Sequence, residues 1–398
     1  MLLVLPGLLV ALVNAVILYK FWNRKITWWE VVIPAILAVV IGVGSKLTAQ
    51  LVKTTDVEYH GGWGVASCHQ EPWTEWREVH VDDYCTRTVP DGKGKTKTES
   101  YKCGSHIETK YTNHSELWWL EDSNGQSIAT NKDDYQNLSQ GVWKNKSRED
   151  GHHGDYHRVK FGFNYGGDGY LYKTKWPDTE ETLVPTTTAH NYTNKVQAAE
   201  QSLFHFRTVD KEDIKNYGLY EFPGIHDYYR MQYLHGCDGG READLASQKL
   251  EIWNAKLGRQ KQVQMRVLVF VDKPLEAAMG QEAYWQGGNK NEFIVCVGLN
   301  EKNQEVRWAY VISWTEEEKL KIQVRDFARS MKKFDPVSLV DFMAQAIQKD
   351  FVRKSFADFA YLKVVTPTWA YWVSFILCVL ATIGIDVWVV KNSYDNLS

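Results

Sequence analysis

The sequence predicts a membrane-anchored α+β protein with three transmembrane helices, a β-rich N-terminal ectodomain unit and an α/β sandwich as the C-terminal ectodomain unit. Apolar runs lie at both ends of the 398-residue chain, and the polar middle changes from strand-like alternation to alternating helix and strand patterns. These observations divide the chain into a transmembrane helical hairpin (1–51), a β-rich unit (52–210), an α/β unit (211–362) and a C-terminal transmembrane helix with a short tail (363–398).

Three apolar runs are typical of membrane spans. Residues 2–19 carry no charge, residues 31–44 follow a Trp pair, and residues 369–390 have Trp and Tyr at their start. A helix needs about 20 apolar residues to cross the hydrocarbon core, and aromatic residues favour its two interfaces. The alternative for the first run is a cleaved signal peptide. Its basic residues follow the apolar stretch instead of preceding it, which favours a retained helix.

The charged loop between the first two runs predicts the orientation. Lys20, Arg24 and Lys25 lie within six residues of each other, and loops rich in Lys and Arg stay in the cytoplasm. We therefore expect a multi-pass protein of the cytoplasmic (inner) membrane. Its ectodomain then lies on the periplasmic or extracellular side, with the short C-terminal tail inside.

The charge of the ectodomain argues against a nucleic-acid partner. The chain has 46 basic and 49 acidic residues, of which five basic and three acidic ones lie in segments 1–51 and 369–398. The remaining 41 basic and 46 acidic residues give the ectodomain a net charge of about −5, with no basic excess to hold a phosphate backbone. We expect the partners to be the lipid bilayer, an envelope or membrane protein, or further copies of the chain.

Four cysteines of the ectodomain are candidates for disulfides. Outside the cytoplasm Cys68, Cys85, Cys103 and Cys237 can be oxidised, and four cysteines allow three pairings. A hairpin through the turn-forming "PDGKGKTKTE" brings Cys85 near Cys103. A zinc site is the alternative, with His69 and His106 as further ligands. The paired C-x-x-C spacing of such sites is missing, so disulfides are favoured.

Helix and strand signals alternate in the second unit. Residues 243–257 have helical spacing and end at Gly258, a C-cap signal. Three apolar runs, "QMRVLVFVD", "NEFIVCVGL" and "VRWAYVISW", predict strands. Thr315 with Glu318 forms a capping box, and Asp335 before a proline starts another helix. In the first unit, the polar Gly/His-rich residues 144–158 predict a loop.

Two groups of residues are candidate metal ligands, although no cofactor is required by any motif. Asp272 follows the first buried strand, where α/β sites gather at the strand ends. His153, Asp155 and His157 share a face if that segment is extended, and their side chains suit a divalent metal. Asp272 also suits a turn, and the histidines suit a solvated loop. The hydrolase motifs G-x-S-x-G and H-E-x-x-H are missing from the sequence, which favours a non-enzymatic protein.

Several strings are similar to a known family. "NAKLGRQKQV", "YWQGGNKNEFIVCVG", "VRWAYVISW" and "RKSFADFAYLKVVTPTW" resemble uncharacterised membrane proteins encoded by tailed bacteriophages and bacteria. Residues 245–362 also resemble, more weakly, the TPM domain, an α/β fold on membrane-anchored proteins of which some members are phosphatases. The first resemblance implies N-terminal helices, a Cys-bearing β region and one C-terminal helix. The second implies a TPM-like sandwich.

These patterns and resemblances lead to three functional hypotheses. The first is a phage-related envelope protein that displays its ectodomain at the host membrane and acts by binding a protein. The second is a membrane-tethered, metal-dependent and phosphatase-like hydrolase that uses the 245–362 unit. The third is a structural subunit of a membrane assembly.

Overall fold

A mixed α+β fold is observed, as the sequence predicts. The computed structural model describes residues 4–21, 28–90, 96–135, 148–160, 163–175, 184–199, 206–224, 231–237, 239–301 and 304–391. The helices are α1 (Val4–Phe21), α2 (Trp28–Thr54), α3 (Lys195–Ala198), α4 (Lys211–Tyr217), α5 (Arg241–Lys261), α6 (Glu276–Tyr284), α7 (Glu318–Ser330), α8 (Pro336–Asp350) and α9 (Thr368–Lys391), with a 3₁₀ turn at Phe356–Phe359. The strands are β1 (Thr55–Gln70), β2 (Trp73–Pro90), β3 (Thr96–His114), β4 (Leu117–Asp122), β5 (Ser127–Thr130), β6 (Arg148–Lys160), β7 (Phe163–Lys175), β8 (Pro185–Thr193), β9 (Leu234–His235), β10 (Gln264–Val271), β11 (Glu292–Leu299) and β12 (Val306–Ser313).

Within the described part of the chain, two helices are long and apolar enough to cross a membrane, one within α2 (Val31–Thr54) and one within α9 (Thr368–Trp388). α1 contacts both of them, and α2 also contacts α9. Gly7 lies where the three helices meet, since a Cβ there would come within 2.6 Å of Cys378 Sγ and 2.9 Å of Ala38 Cβ. Small residues at such crossings let helix backbones approach closely, which is how helices associate in lipid.

The first part of the polar chain forms an antiparallel sheet in the order β3-β2-β7-β1-β4-β5, with β6 paired to β7 and β8 to β1. The loop predicted for residues 144–158 is wrong from Arg148 onward, because that backbone pairs with β7 as strand β6. Main-chain hydrogen bonds to a neighbouring strand satisfy the backbone whatever the side chains are. A polar composition alone therefore did not exclude a strand here.

Strand β1 joins the β-rich unit to the α/β unit. Its first half pairs with β8 and its second half pairs with β4 and β7. Its first half also lies against α5, where Gly61 faces Gly258 so closely that a Cβ on Gly258 would lie 2.5 Å from the Gly61 carbonyl oxygen. The predicted helix end at Gly258 is therefore wrong. The helix continues to Lys261 and is capped by Gln262 in a left-handed conformation, because Gly258 serves the helix–strand contact.

We expect Gly258→Ala to destabilise the packing of β1 against α5. Alanine favours a helix over glycine by about 1 kcal/mol, but overpacking against rigid backbone costs about 1–3 kcal/mol. The Cβ would meet three backbone atoms of Gly61 at 2.5–2.6 Å, so the steric cost should prevail. The measurement is the thermal unfolding midpoint of the purified chain. Gly44→Ala is the control, since its Cβ would meet nothing within 4 Å, and an equal effect of both changes would contradict the packing argument.

The second unit has a four-stranded sheet in the order β12-β11-β10-β9, with β9, β10 and β11 parallel and β12 antiparallel. One face packs against α5, α7 and α8 through the larger hydrophobic core. The other face packs against α6 through a smaller core that includes Phe270, Ile294 and Trp285. Since α5 follows β9 and α6 follows β10, the chain leaves these neighbouring strands toward opposite faces of the sheet.

Of the two helix starts predicted at Thr315 and Asp335, the second is confirmed and the first is wrong. Asp335 caps α8 as expected, because its carboxylate accepts hydrogen bonds from the N–H groups of Val337 and Ser338. The capping box at Thr315 is wrong, since α7 begins at Glu318. The buried Thr315 hydroxyl instead donates to the Val352 carbonyl at 2.9 Å, which ties the start of α7 to the segment after α8.

Candidate functional site: a projecting arm and a strand-end crevice

Strands β2 and β3 project from the sheet as a two-stranded arm. β2 pairs with β7 only at Glu75, Trp76 and Arg77, whereas its pairing with β3 continues to Pro90. We call residues 78–90 with 96–109 the arm, which is about 40 Å long at about 3.4 Å per residue. A disulfide joins Cys85 to Cys103 across it. A two-stranded ribbon has no core of its own, so this crosslink holds the strands in register.

The arm exposes large apolar side chains. Tyr84 is 67% and Tyr111, at its base, 70% exposed, and Ile107 and Tyr101 are also exposed. Tyr84, Ile107 and Tyr111 share one face of the ribbon, because Ile107 pairs with His80 and Tyr111 with Trp76, at even spacing from Tyr84 along β2. Tyr101 pairs with Cys85 and therefore lies on the other face. Exposed tyrosines with large contact area are enriched where proteins bind each other.

The charged side chains of the arm neutralise one another. Lys102 contacts Asp82 at 2.5 Å, and Lys97 contacts Glu99 at 2.8 Å. His106 lies 2.6 Å from Asp83, and the Glu99 carboxylate also contacts Arg87 at 3.5 Å. Neither sign of charge is left in large excess on the arm. This surface therefore suits a protein better than a polyanion, which needs unpaired cations.

The second candidate is a crevice at the carboxyl ends of the parallel strands. Because α5 and α6 leave toward opposite faces, a cleft opens beside β9 and β10, at the position where α/β sheets commonly bind ligands. The cleft has a volume of about 660 Å³. A glycine-rich loop between β9 and α5 forms one wall. Gly236 in this loop has a positive φ of 72°, which favours glycine. Any larger residue would also clash here, since a Cβ would lie 2.1 Å from the Val269 carbonyl oxygen.

The crevice has mixed chemistry. Its polar lining includes Arg241, Glu242, Glu301 and the Cys237 thiol, and Val269 and Phe334 form part of an apolar wall. No group of three or more His, Cys, Asp or Glu side chains suited to a metal occurs among the residues that the structure describes. The crevice can accommodate a small polar molecule, but these side chains do not form a ligand set around one point.

Asp272 lies at the rim of this region, in a turn. Its φ is 49°, its carboxylate accepts a hydrogen bond from the Glu301 N–H at 3.2 Å, and Arg307 lies 3.8 Å away. These contacts tie the end of β10 to the loop after β11. The other metal candidates, His153, Asp155 and His157, lie on β6, and their side chains fall outside the described part of the chain.

The cysteines divide into one disulfide and separate thiols. Cys85 and Cys103 are joined, whereas Cys68 and Cys237 are not in a disulfide. Cys68 is buried within β1, where burial and then the neighbouring Glu121 carboxylate raise the pKa of its thiol to about 12. A thiol of that pKa is a poor metal ligand, since the thiolate is the ligand form. Cys237 lines the crevice instead.

A buried group of charges lies where β1 meets the second unit. Glu58 is 3% exposed and pairs with Arg353, and its Oε1 lies 3.5 Å from Lys290 Nζ and 3.2 Å from His60 Nε2. We call these four residues the Glu58 cluster. Burial alone would raise the pKa of Glu58, but contacts with His60 and Arg353 and the charges of Arg353 and Lys290 lower it to about 2. The carboxylate is thus held ionised.

No family model, no curated protein and no solved structure matches this chain. The arm, the crevice and the Glu58 cluster therefore have to be interpreted from their own geometry.

The sequence did not indicate the Glu58 cluster. Its members lie up to 295 residues apart, and each looks like an ordinary surface residue in its local pattern. One usable signal was the position of Glu58 and His60 at alternate places on a strand that follows directly from an apolar helix. The open edges of the arm gave no signal, because a strand pattern does not reveal how many neighbours the strand has.

Proposed function

We propose that this chain is a membrane-anchored protein that displays an ectodomain outside the cytoplasm and acts by binding another protein through its arm. The arm carries the proposal, because it exposes apolar side chains on both faces while its charges are paired internally. The outer edge of β3 has no strand partner among the described residues. An exposed edge of this length can accept an added strand from a partner, with aromatic side chains supplying specificity.

The proposed anchor comprises α1, α2 and α9 as three transmembrane helices. Two of them are long and apolar enough to cross a membrane, and α1 packs against both. The basic loop at 20–25 and the Cys85–Cys103 disulfide both favour an ectodomain on the non-cytoplasmic side. A reporter enzyme fused after residue 199 tests this orientation, since activity confined to the cytosol would reverse it. The resemblance to proteins of tailed phages suggests the host membrane as the place of action.

Site-specific photo-crosslinking in cells that express the full chain tests the arm. A photo-reactive amino acid replaces Tyr84 or Ile107 on the arm, or Leu245 on α5 as a control, since this side chain is also exposed and apolar. We expect covalent adducts with a protein from the two arm positions and none from Leu245. Equal adducts from all three positions, or none from the arm, would refute binding through the arm. An adduct of twice the chain mass would show that the bound protein is a second copy, which is the behaviour of an assembly subunit.

A metal-dependent hydrolase is the second candidate, and the strand-end crevice is the observation that favours it. Asp272, Glu242 and Glu301 would be its acids, and α/β folds place catalytic residues at strand ends. The test is hydrolysis of a chromogenic phosphate ester by the purified chain with Mg²⁺ or Mn²⁺. This activity should fall at least about 100-fold in Asp272→Asn, and activity unchanged by that substitution would exclude the proposed site.

A further inference from the structure

A second cavity, separate from the crevice, is lined by cations. Its volume is about 370 Å³, and its walls include Lys195, Lys290, Arg353 and Lys354 together with Thr193 and Phe356. None of its lining residues is acidic. We call it the basic cavity. It lies between the start of α3, the loop before β11 and the segment after α8.

Carboxylates near the basic cavity neutralise it only in part. The buried Glu58 faces both Arg353 and Lys290, so one carboxylate serves two cations. Lys354 contacts Glu316 and Asp358, which are 76% and 57% exposed and therefore screened by water. The Lys195 amine donates to the Ala360 carbonyl at 2.8 Å. Asp56 also acts on Lys290, so the charges that balance these cations lie outside the lining, and the wall itself is cationic.

Three buried polar atoms of the Glu58 cluster have no hydrogen-bond partner among the described residues. They are Arg353 Nε, Glu58 Oε2 and His60 Nε2. A buried N–H of a charged guanidinium costs free energy unless an acceptor reaches it. A phosphate group in the cavity would supply acceptor oxygens to the Arg353 guanidinium and negative charge to the cationic wall, and guanidinium groups pair well with phosphate.

The basic cavity lies close to the ends of both candidate membrane helices. Thr193 on its wall pairs with Thr55, the residue directly after α2, and the Asn194 N–H donates to the Thr54 carbonyl at 2.6 Å. On the other side, Ala360 precedes the start of α9 by eight residues. Lys53 Nζ donates to the Val365 carbonyl at 3.4 Å, and this contact joins the end of α2 to the segment before α9.

Exposed aromatic side chains follow the cavity wall along the chain, up to and into the first turns of α9. Tyr361, which follows the lining residue Ala360, is 74% exposed, and Trp369 and Trp372 at the start of α9 are 47% and 63% exposed. Tyr and Trp are enriched at the level of lipid headgroups. If α9 crosses the membrane, these side chains place the adjoining wall of the cavity near the level of the headgroups.

We propose that the basic cavity binds the phosphate of an anionic lipid headgroup. This rests on the part of the proposed function in which α2 and α9 cross the membrane, and it is independent of the arm. The headgroup phosphate lies beside Arg353, Lys195 and Lys354, and the glycerol end of the lipid leads past Phe356 toward the aromatic residues. Free phosphate has the same chemistry, so the experiment separates the two sources.

The test uses native mass spectrometry of the full chain in detergent. The probes are short-chain phosphatidylglycerol, phosphatidylcholine of equal chain length, and inorganic phosphate. Lys195→Gln with Lys354→Gln is the main variant, because it leaves the Glu58 cluster intact. Lys319→Gln with Lys332→Gln is its control, with the same loss of charge at two exposed lysines outside the cavity.

We expect one phosphatidylglycerol to bind in preference to phosphatidylcholine, and its affinity to fall at least about tenfold in the main variant but less than about twofold in the control. Equal binding of both lipids, or equal affinity in the two variants, would overturn the proposal. Displacement of the lipid by millimolar phosphate would assign the cavity to free phosphate and overturn the lipid source.

The lipid-binding experiment can be interpreted independently of the experiments on the arm and on the membrane anchor. Lipid binding is read in purified protein without the arm's partner, so a negative crosslinking result leaves it unaffected. Conversely, a chain that stays soluble without detergent would refute the anchor, whatever the cavity binds. Thermal unfolding of both double variants shows whether a loss of binding reflects a loss of fold.

Discussion

Glu292→Ala should destabilise the α/β unit by about 3–5 kcal/mol, the largest effect that we expect from a single substitution. The Arg266 and Glu292 side chains form an ion pair at 2.7 Å, and both are 0% exposed. Removing the carboxylate leaves a buried guanidinium without its counter-charge. Since a whole domain is stable by only about 5–15 kcal/mol, this loss would remove a large part of its stability.

The residues around the pair explain why neither charged side chain can reach solvent. Arg266 donates to the Gln264 side chain at 3.0 Å and lies over the rings of Phe222 and Tyr233. The second oxygen of Glu292 accepts a hydrogen bond from the Asn289 N–H at 2.8 Å. Both partners are thus satisfied as a unit, and a single truncation breaks a complete network.

The double change Arg266→Met with Glu292→Leu distinguishes the cost of losing the whole ion pair from the cost of leaving one charge buried alone. Replacing both charges by apolar side chains of similar size is often neutral or stabilising, so we expect a far smaller effect than for Glu292→Ala. The measurement is the unfolding midpoint of the purified chain in detergent, followed by tryptophan fluorescence. Glu318→Ala is the control, because this 71% exposed carboxylate pairs with Lys321 on the surface and should contribute about 0.5 kcal/mol or less. A cost of under about 1 kcal/mol for Glu292→Ala would show that water reaches Arg266.

The sequence shows why this pair could be predicted only in part. The apolar runs around Arg266 and Glu292 correctly predicted strands β10 and β11. A local pattern does not reveal which residues of two parallel strands lie side by side, because the helix between them leaves the register open. The same limit hid the contact of Gly258 with Gly61, which lie almost 200 residues apart in the sequence and whose packing overrode a good helix-end signal.

The candidate sites also differ in whether local sequence signals or tertiary contacts determine them. The hairpin that joins Cys85 and Cys103 could be inferred from a turn between two strand patterns, since both signals are local. Whether further strands cover that hairpin depends on the whole sheet, so its exposure as an arm was beyond the sequence. The basic cavity takes residues from near positions 195, 290 and 354, and three such segments meet only through the tertiary fold.

We expect Glu58→Gln to cost about 3 kcal/mol at neutral pH, the second large effect. The pKa of Glu58 falls from 4.5 to about 2 in the folded chain, and each pKa unit corresponds to about 1.4 kcal/mol. The amide has a similar shape but carries no charge to balance Arg353 and Lys290. The substitution therefore leaves the buried Lys290 and the partly buried Arg353, both in the second unit, without the carboxylate that β1 places between them.

The pH dependence gives this prediction a definite sign. Because the pKa of Glu58 is lower in the folded than in the unfolded chain, its ionisation stabilises the fold above about pH 4.5. That contribution is lost as the pH falls from about 4.5 towards 2. Burial, followed by the charge of Arg266, lowers the pKa of His235 from 6.5 to about 4, so this histidine costs stability as the pH falls between those two values. Burial also raises the pKa of Glu251 from 4.5 to about 7, which acts with the opposite sign over about the same range. The two windows barely overlap.

Unfolding midpoints between pH 7 and pH 2.5 test both statements. Glu58→Gln should lower the midpoint at pH 7 and flatten its dependence below pH 4.5, while the region between pH 6.5 and 4 keeps its slope. Glu116→Gln is the matched control, since that carboxylate also contacts a histidine, His69 at 2.7 Å, but is 32% exposed. An unchanged acid slope in Glu58→Gln would mean that other carboxylates control the acid transition.

The same variant links the Glu58 cluster to the basic cavity. Without its carboxylate, Arg353 and Lys290 present more positive charge to the cavity, so an anionic headgroup should bind more tightly. Any ligand that binds the folded state preferentially also stabilises it. We therefore expect phosphatidylglycerol to raise the unfolding midpoint of Glu58→Gln by more than that of the unchanged chain, and phosphatidylcholine to raise neither selectively. Equal shifts for both chains would indicate that Glu58 and the cavity are not coupled through these two cations.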